Sequence, residues 1–535
     1  MLGSAPTATA PEFDAQEAAL LARYFTNLDR PVFALRNLPE VVKGALFSRY
    51  SRTEKSLRRV LLDEFIQAPE MDFAQLTGSA AGDDMVATKR AEEFYERVLV
   101  GYGDDSVAEL AGAHIAVERV STLAAKAIQD SRIGLSPLEK STRYVRFDRR
   151  DADGRWPYHR GRELGHPVYE RAMDALFATY SSLVEPLTEA VRDRHPIEPG
   201  ETERAWKSAT RAKALDLLRG LLPASALTNL GLFGNGRAFE YLITKLAAHE
   251  LPEARLLANS MHDELALVIP SFVRRALDER YGRPASERMM RARMAAARLA
   301  PKGQPHPVRA GVRLVEWDRD AERKVVAAAL YPHSNLPLVE LSQAGVDADA
   351  VFDALLGDRA NRRHRMPRAL EMATYTFEVV ANFAAYRDLQ RHRMLTQDRQ
   401  LLGTALGCDV PEDLAEYRMR TRFESALERA EQAHLLLERS LGPVVAQYAV
   451  PLAFRVRWFI RVSLREVVHL CELRTTPQGH PDYRLVAQEM FGCVEQVHPR
   501  LASYARFVDM SPGDELERRA SERRIDEKLS AVRGS

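Results

Sequence analysis

Two short strings in this chain combine side chains that can do chemistry. Arg391-His392-Arg393 sets two guanidiniums around one imidazole. Donors at that density suit phosphates, or the N1–C2=O edge of a flavin ring, where negative charge gathers on reduction. Glu139-Lys140-Ser141-Thr142-Arg143-Tyr144 alternates a carboxylate, a hydroxyl and a guanidinium, and an extended loop would point all three the same way. The hydroxyl and the Arg together can grip a phosphate. The carboxylate can orient an N–H-bearing ring such as a pyrimidine. Taken singly, each string has a plainer reading: a basic helix end favoured by the helix dipole, or a polar turn leading into a strand.

The elements that must position these strings read as mostly helical. From Ala15 onward the chain is rich in Ala, Leu, Arg and Glu with apolar residues at helical spacing, as in Leu256, Met261, Leu265, Val268 and Ile269 and again over Phe423–Leu441. The spacing predicts amphipathic helices after Val107 and over Leu370–Gln390. Strand-like runs are short: Arg143–Phe147 and Val312–Trp317. The expected fold class is α+β, helix-rich. Residues 1–13 read as a disordered tail. Arg298–Ala310, with three prolines and no apolar periodicity, reads as a linker between domains at 14–297 and 311–535. The segments beginning at Val107 and Ala369 resemble each other, and Pro223 and Pro451 are each followed fourteen residues later by an arginine, Arg237 and Arg465. The matches fall in the same order, as expected for a tandem duplication.

Composition narrows the function classes. The 535 residues carry 76 Lys+Arg against 75 Asp+Glu, a net charge of +1, which disfavours a general polyanion binder. The basic clusters Arg288–Arg298 and Arg362–Arg368 are mixed with Ala and Met and lack interleaved aromatics, so no nucleic-acid partner is expected. Three cysteines, none in a CxxC pair, speak against a disulfide scaffold or a structural zinc, and no metal site is predicted. The start of the chain lacks the features of a signal peptide, and Gly220–Gly236, the longest uncharged run, is interrupted by Pro223. A cytoplasmic protein without membrane partners is expected.

The two strings together resemble the flavin-dependent thymidylate synthase family, whose members carry an RHR triplet, a short loop and then E-x-S-x-R-Y. Here the pattern is divided. The second half has Arg391-His392-Arg393, but Arg399, Leu401 and Gly403 stand where the family has Glu, Ser and Arg. The first half has Glu139, Ser141, Arg143 and Tyr144, with Gln129-Asp130-Ser131 in place of the triplet, or Ser131-Arg132-Ile133 if the gap is placed elsewhere. Tyr102–Glu109 is similar to the family's segment ahead of the triplet, with Asp104 in place of a histidine. Arg219, four residues before Pro223, matches a family arginine, and Asn235, Arg237, Arg465, His469 and Arg474 fall at or near family spacings after the two prolines.

The resemblance implies two fused copies of a flavin-dependent thymidylate synthase-like α/β domain, with composite sites between the halves. It implies FAD as cofactor, NADPH and methylenetetrahydrofolate as co-substrates, and methylation of dUMP to dTMP. By position, Glu139, Ser141, Arg143 and Arg219 would hold dUMP. Ser106, Asn235, Arg237, Arg391, His392, Arg393, Arg465, His469 and His480 would hold FAD, and Arg391 and Arg474 would act in catalysis. The divided motifs leave room for a non-catalytic flavin or nucleotide binder, or for methyl or hydroxymethyl transfer to another pyrimidine nucleotide. Because the family assembles as a homotetramer, the duplicated chain is expected to form a homodimer that mimics one. Light scattering over a wide concentration range should give twice the chain mass; a strictly monomeric species would contradict this.

Overall fold

The computed structural model describes residues 12–51, 53–67, 109–301, 303 and 307–533. Most of the expected N-terminal tail, part of the expected linker, and Ser106 lie outside them. The chain is a helix-rich α+β protein, with two small sheets among the described residues. It packs as two compact units, one drawn from residues 1–117, 131–138 and 230–300, the other from 118–130, 139–229 and 301–535. Glu139–Asn229 thus packs with the C-terminal part of the chain.

The strands are β1 (Gly112–Ser121), β2 (Leu135–Glu139), β3 (Leu227–Asn235), β4 (Gly311–Trp317), β5 (Thr374–Asn382), β6 (Leu395–Arg399) and β7 (Arg455–Ser463). One sheet has the order β1-β3-β2, the other β4-β5-β7-β6. In the second sheet every pairing is antiparallel, with Phe377 opposite Leu314 on one side and Ile460 on the other. Two expected helices are therefore corrected. The chain after Val107 and over Leu370–Gln390 instead forms a strand followed by a short helix, Thr122–Gln129 in one case and Phe383–Leu389 in the other. The reason is local. Tyr375, Phe377 and Val379 alternate inward, so a period of two outweighs the helical spacing of the Ala-rich residues after Asn382. Ser121 and Asn382 then stop each strand by capping the helix that follows, accepting from the amides of Ala124 and Ala385. Val312–Trp317 is a strand as expected. Arg143–Phe147 is not: the amides of Tyr144 and Val145 turn back to the Ser141 carbonyl.

The core of the second unit lies under β5 and β7. Trp458, Ile460, Phe377 and Tyr386 are sealed from solvent, with the Tyr386 and Trp458 rings edge-on at 5.3 Å. The long helices Pro167–Arg194 and Arg420–Leu441 pack on each other. The segments before β3 and β7 clasp one another: the amide of Ala224 donates to Val450 O at 2.8 Å and that of Leu452 to Leu222 O at 2.9 Å, with Pro223 opposite Pro451. Removing the Phe377 ring should cost about 3–5 kcal/mol in urea unfolding; a loss below about 1 kcal/mol would show that this strand is not central to the core.

Candidate functional site

Glu139 ends β2, and its carboxylate is only 1% exposed. Two short helices surround it with cations. Lys126 Nζ donates to Oε2 at 2.7 Å and Gln129 Nε2 to the same oxygen at 3.0 Å. Arg387 Nη2 donates to Oε1 at 2.9 Å, and Arg391 Nη2 stands 3.9 Å from Oε2. Gln390 ties the two helices directly, donating from Nε2 to Lys126 O at 3.1 Å and also to the Asp130 carboxylate. Burial opposes ionisation of Glu139, but Lys126, Arg387 and Arg391 outweigh it and hold the carboxyl well below its ordinary value. Burial pulls Lys126 down to about 8 against the opposing pull of Glu139, and the flanking guanidiniums add to that lowering.

The charge network continues from Arg391. Asp388, 3.7 Å from Arg391, takes a hydrogen bond from Arg219 Nη1 at 3.1 Å. Burial raises its pKa, but Arg219 and three further guanidiniums depress it more strongly. Arg219 also lies 3.6 Å from Asp482. Arg143 grips Asp216 with two prongs, Nε at 2.9 Å and Nη2 at 2.7 Å, and donates also to Tyr483 Oη and Gln478 O, each at 3.3 Å. His480, capping the helix Pro481–Val497, faces the Asp216 carbonyl at 3.3 Å, and burial followed by Arg219 pushes it down to about 3.

The other side of Arg391 opens into a cavity of about 650 Å3. Arg391, His392, Arg393, Arg465, His469 and Arg474 all line it. His392 is locked: Arg474 Nε donates to its Nε2 at 2.9 Å, so Nδ1 carries the proton and donates to Glu466 at 2.8 Å. Burial raises the pKa of Glu466 and lowers that of Arg474. Arg465 is aimed by Met366 O at 2.8 Å and Glu371 at 2.7 Å. Met366, Met394, Val468 and Leu473 supply apolar wall. An array of guanidiniums beside apolar surface fits a flavin dinucleotide: the cations match its diphosphate and ring carbonyl edge, and the volume falls in the usual range for ligand cavities. Donor atoms of His392, Glu466 and His469 lie within 4.8 Å of one another. With both ring nitrogens of His392 already engaged and Arg474 against it, this trio is a poor cation site.

The structure thus gathers six predicted residues at the cavity and four others, Glu139, Arg143, Arg219 and His480, in the charge network beside it. Ser141 lies in the turn between Glu139 and Arg143, its Oγ accepting from the Arg143 amide at 3.2 Å. Asn235 and Arg237 belong to the other unit. Asn235 caps the helix Gly236–Ala247, while Arg237 pairs with Glu109 at 2.8 Å and lines a separate cavity of about 310 Å3. Sequence reasoning missed Arg387, Asp388 and Asp216, whose roles depend on partners far away in the chain. It also missed Arg359, Arg362 and Arg365, which line the main cavity; their clustering was visible, their direction was not.

The signature of the thymidylate synthase complementing protein family matches residues 59–271 and again 313–500. A UPF0159 protein of Chlamydia muridarum is 42% identical over 517 residues, covering 94% of this chain and 97% of its own. A flavin-dependent thymidylate synthase of Sulfolobus acidocaldarius is 24% identical over 202 residues, 36% of this chain and 76% of its own. More distantly, a solved UMP/dUMP methylase, PolB from Streptomyces cacaoi bound with 5-Br dUMP, aligns at TM-score 0.33 and 18% identity over 39% of this chain and all of that one. The chain belongs to the thymidylate synthase complementing protein family.

Glu139 generates a stability prediction. Glu139→Gln should cost about 3–5 kcal/mol at neutral pH, because it leaves buried cations without their counter-charge. The folded carboxyl titrates below its ordinary 4.5, so its contribution is full above that value and is lost as pH falls toward the folded pKa. Urea midpoints taken between about pH 3 and 7 should therefore show parent and variant converging on the acid side. Equal stability at neutral pH would contradict this.

Proposed function

We propose that the protein is a flavin-dependent nucleotide methylase built from two tandem copies of the family domain, and that it converts dUMP to dTMP. The observation that carries this reading is the convergence of Arg391, His392, Arg393, Arg465 and Arg474 on one cavity, with the His392 tautomer fixed. The tandem reading rests on the repeated element order. In each copy a strand, a capped short helix, a second strand, long helices and a Pro-anchored turn lead to a third strand whose last residue caps another helix. Both sheets place that third strand between the other two. The domains proposed remain those of the two sequence halves, 14–297 and 311–535.

FAD bound in the cavity would supply a reversible hydride carrier. The chain's own residues would act around it. Arg391 and Arg474 would neutralise the negative charge that gathers on the reduced ring, and Arg393 and Arg465 would orient the cofactor. His392 would keep Arg474 in place by accepting its Nε–H. Methylenetetrahydrofolate would be the one-carbon donor and NADPH the reductant. Glu139, held by Lys126 and Arg387, and Arg143, held by Asp216, would brace the ground around Arg391, and Arg219 would hold Asp388 beside it. That engagement also favours a second reading, a protein that binds flavin and nucleotide without turnover.

Changing both Arg391 and Arg393 to Ala should remove two charge-assisted contacts, each worth about 1.5–3 kcal/mol, and so abolish FAD retention on gel filtration. Unchanged FAD affinity would show the flavin assignment to be wrong. Parent protein given FAD, NADPH, methylenetetrahydrofolate and dUMP should yield dTMP by chromatography; bound flavin with no methylated nucleotide would favour the non-catalytic reading.

A further inference from the structure

The loop 359–368, which contains the basic cluster Arg362–Arg368, forms one wall of the main cavity. Its string Arg363-His364-Arg365-Met366 repeats Arg391-His392-Arg393-Met394, and Arg362, Arg365 and Met366 line the same cavity as the second string. The loop is anchored at both ends to the helix Leu464–Arg474. At one end Arg359, buried, makes a two-pronged pair with Glu472 at 2.8 and 2.7 Å and holds His364 O at 2.8 Å. At the other, Met366 O receives Arg465 Nε. Between the anchors, Arg362 and Arg365 have no hydrogen bond or ion pair with any described residue. They are held over the cavity on a braced loop with their donors unspent.

Charge decides what they can take. Seven arginines against three glutamates line the cavity, an excess of four positive charges. The diphosphate of a dinucleotide offsets about two of these. A phosphate monoester, at about −1.5 to −2 at neutral pH, matches what remains. Arg143 is a poor alternative for that group, because Asp216 already pairs its charge and, with Tyr483 and Gln478, takes most of its donors.

We infer that Arg362 and Arg365 form a second anion subsite in the cavity, which takes the 5′-phosphate of the nucleotide substrate while the Arg391–Arg474 side holds the cofactor. This rests on the methylase reading above. The same chemistry could come from the cofactor's own diphosphate, so the test separates the two sources. Full-length parent and the double variant Arg362→Ala, Arg365→Ala are titrated with FAD; dUMP, and then phosphate-free deoxyuridine, are titrated into the FAD-loaded proteins and followed by flavin fluorescence. The dUMP dissociation constant should rise about tenfold or more, with FAD affinity nearly unchanged and deoxyuridine bound alike by both proteins. A double variant that holds dUMP as tightly as the parent overturns the inference and leaves the function reading standing. FAD affinity falling as far as dUMP affinity overturns it in favour of the cofactor's diphosphate. A parent that binds FAD but no pyrimidine nucleotide defeats the function reading, and the subsite with it.

Discussion

A carboxylate sealed from water must be met by cations, and Glu139 is met from two directions at once. Lys126 comes from the helix after β1, Arg387 from the helix after β5. A buried charge without a partner costs several kcal/mol, so these helices cannot separate or rotate without exposing or orphaning it. Arg391 stands just beyond the second helix, between Glu139 and Asp388. The direction in which its guanidinium meets the cavity is therefore a consequence of the same cluster. Gln390, bonded to Lys126 O, fixes the spacing between the two helices.

The two short helices Thr122–Gln129 and Phe383–Leu389 follow strands in the same way, but the charged groups around them differ. Lys126 and Arg387 occupy matching places on their helices, as do Gln129 and Gln390. Where β2 ends in Glu139, β6 ends in Arg399, which bonds Gln447 Oε1 at 3.1 Å and lies over the Phe383 ring. Gln447 in turn sits where Arg219 stands before the other proline. The stretch from β2 to Pro223 thus has an acid and an arginine where the stretch from β6 to Pro451 has an arginine and an amide. The charged groups of the Glu-Ser-Arg string are paired within the protein: Glu139 faces Lys126, Arg143 faces Asp216, and the Tyr144 ring lies under Arg518 at 4.1 Å. The Arg-His-Arg string faces the cavity.

Much of this was legible in the sequence. The two strings, the paired prolines with their arginines and the helix-rich class all follow from residue types and spacing. The strands β1 and β5 were hidden because their alternation merges into an Ala-rich helix without a Gly or Pro to mark the change; only the caps Ser121 and Asn382 divide them. The inward turn of Arg143 could not be read, since Asp216, Tyr483 and Gln478 lie 73 to 340 residues away. The Arg362 and Arg365 pair could not be placed at the cavity, because nothing local reveals that Arg359 is pinned to Glu472.

The charge of Glu139 is shared between the two helices, through Lys126 on one and Arg387 on the other. A double-mutant cycle with Glu139→Gln and Arg387→Met, read by urea unfolding of the full-length protein, tests it most directly. The account predicts a coupling energy of about 2–3 kcal/mol, with the double variant less damaged than the two single losses combined. Additive losses, within about 0.5 kcal/mol, would contradict it and would mean that packing and the Gln390 hydrogen bonds, not the shared charge, hold the helices together.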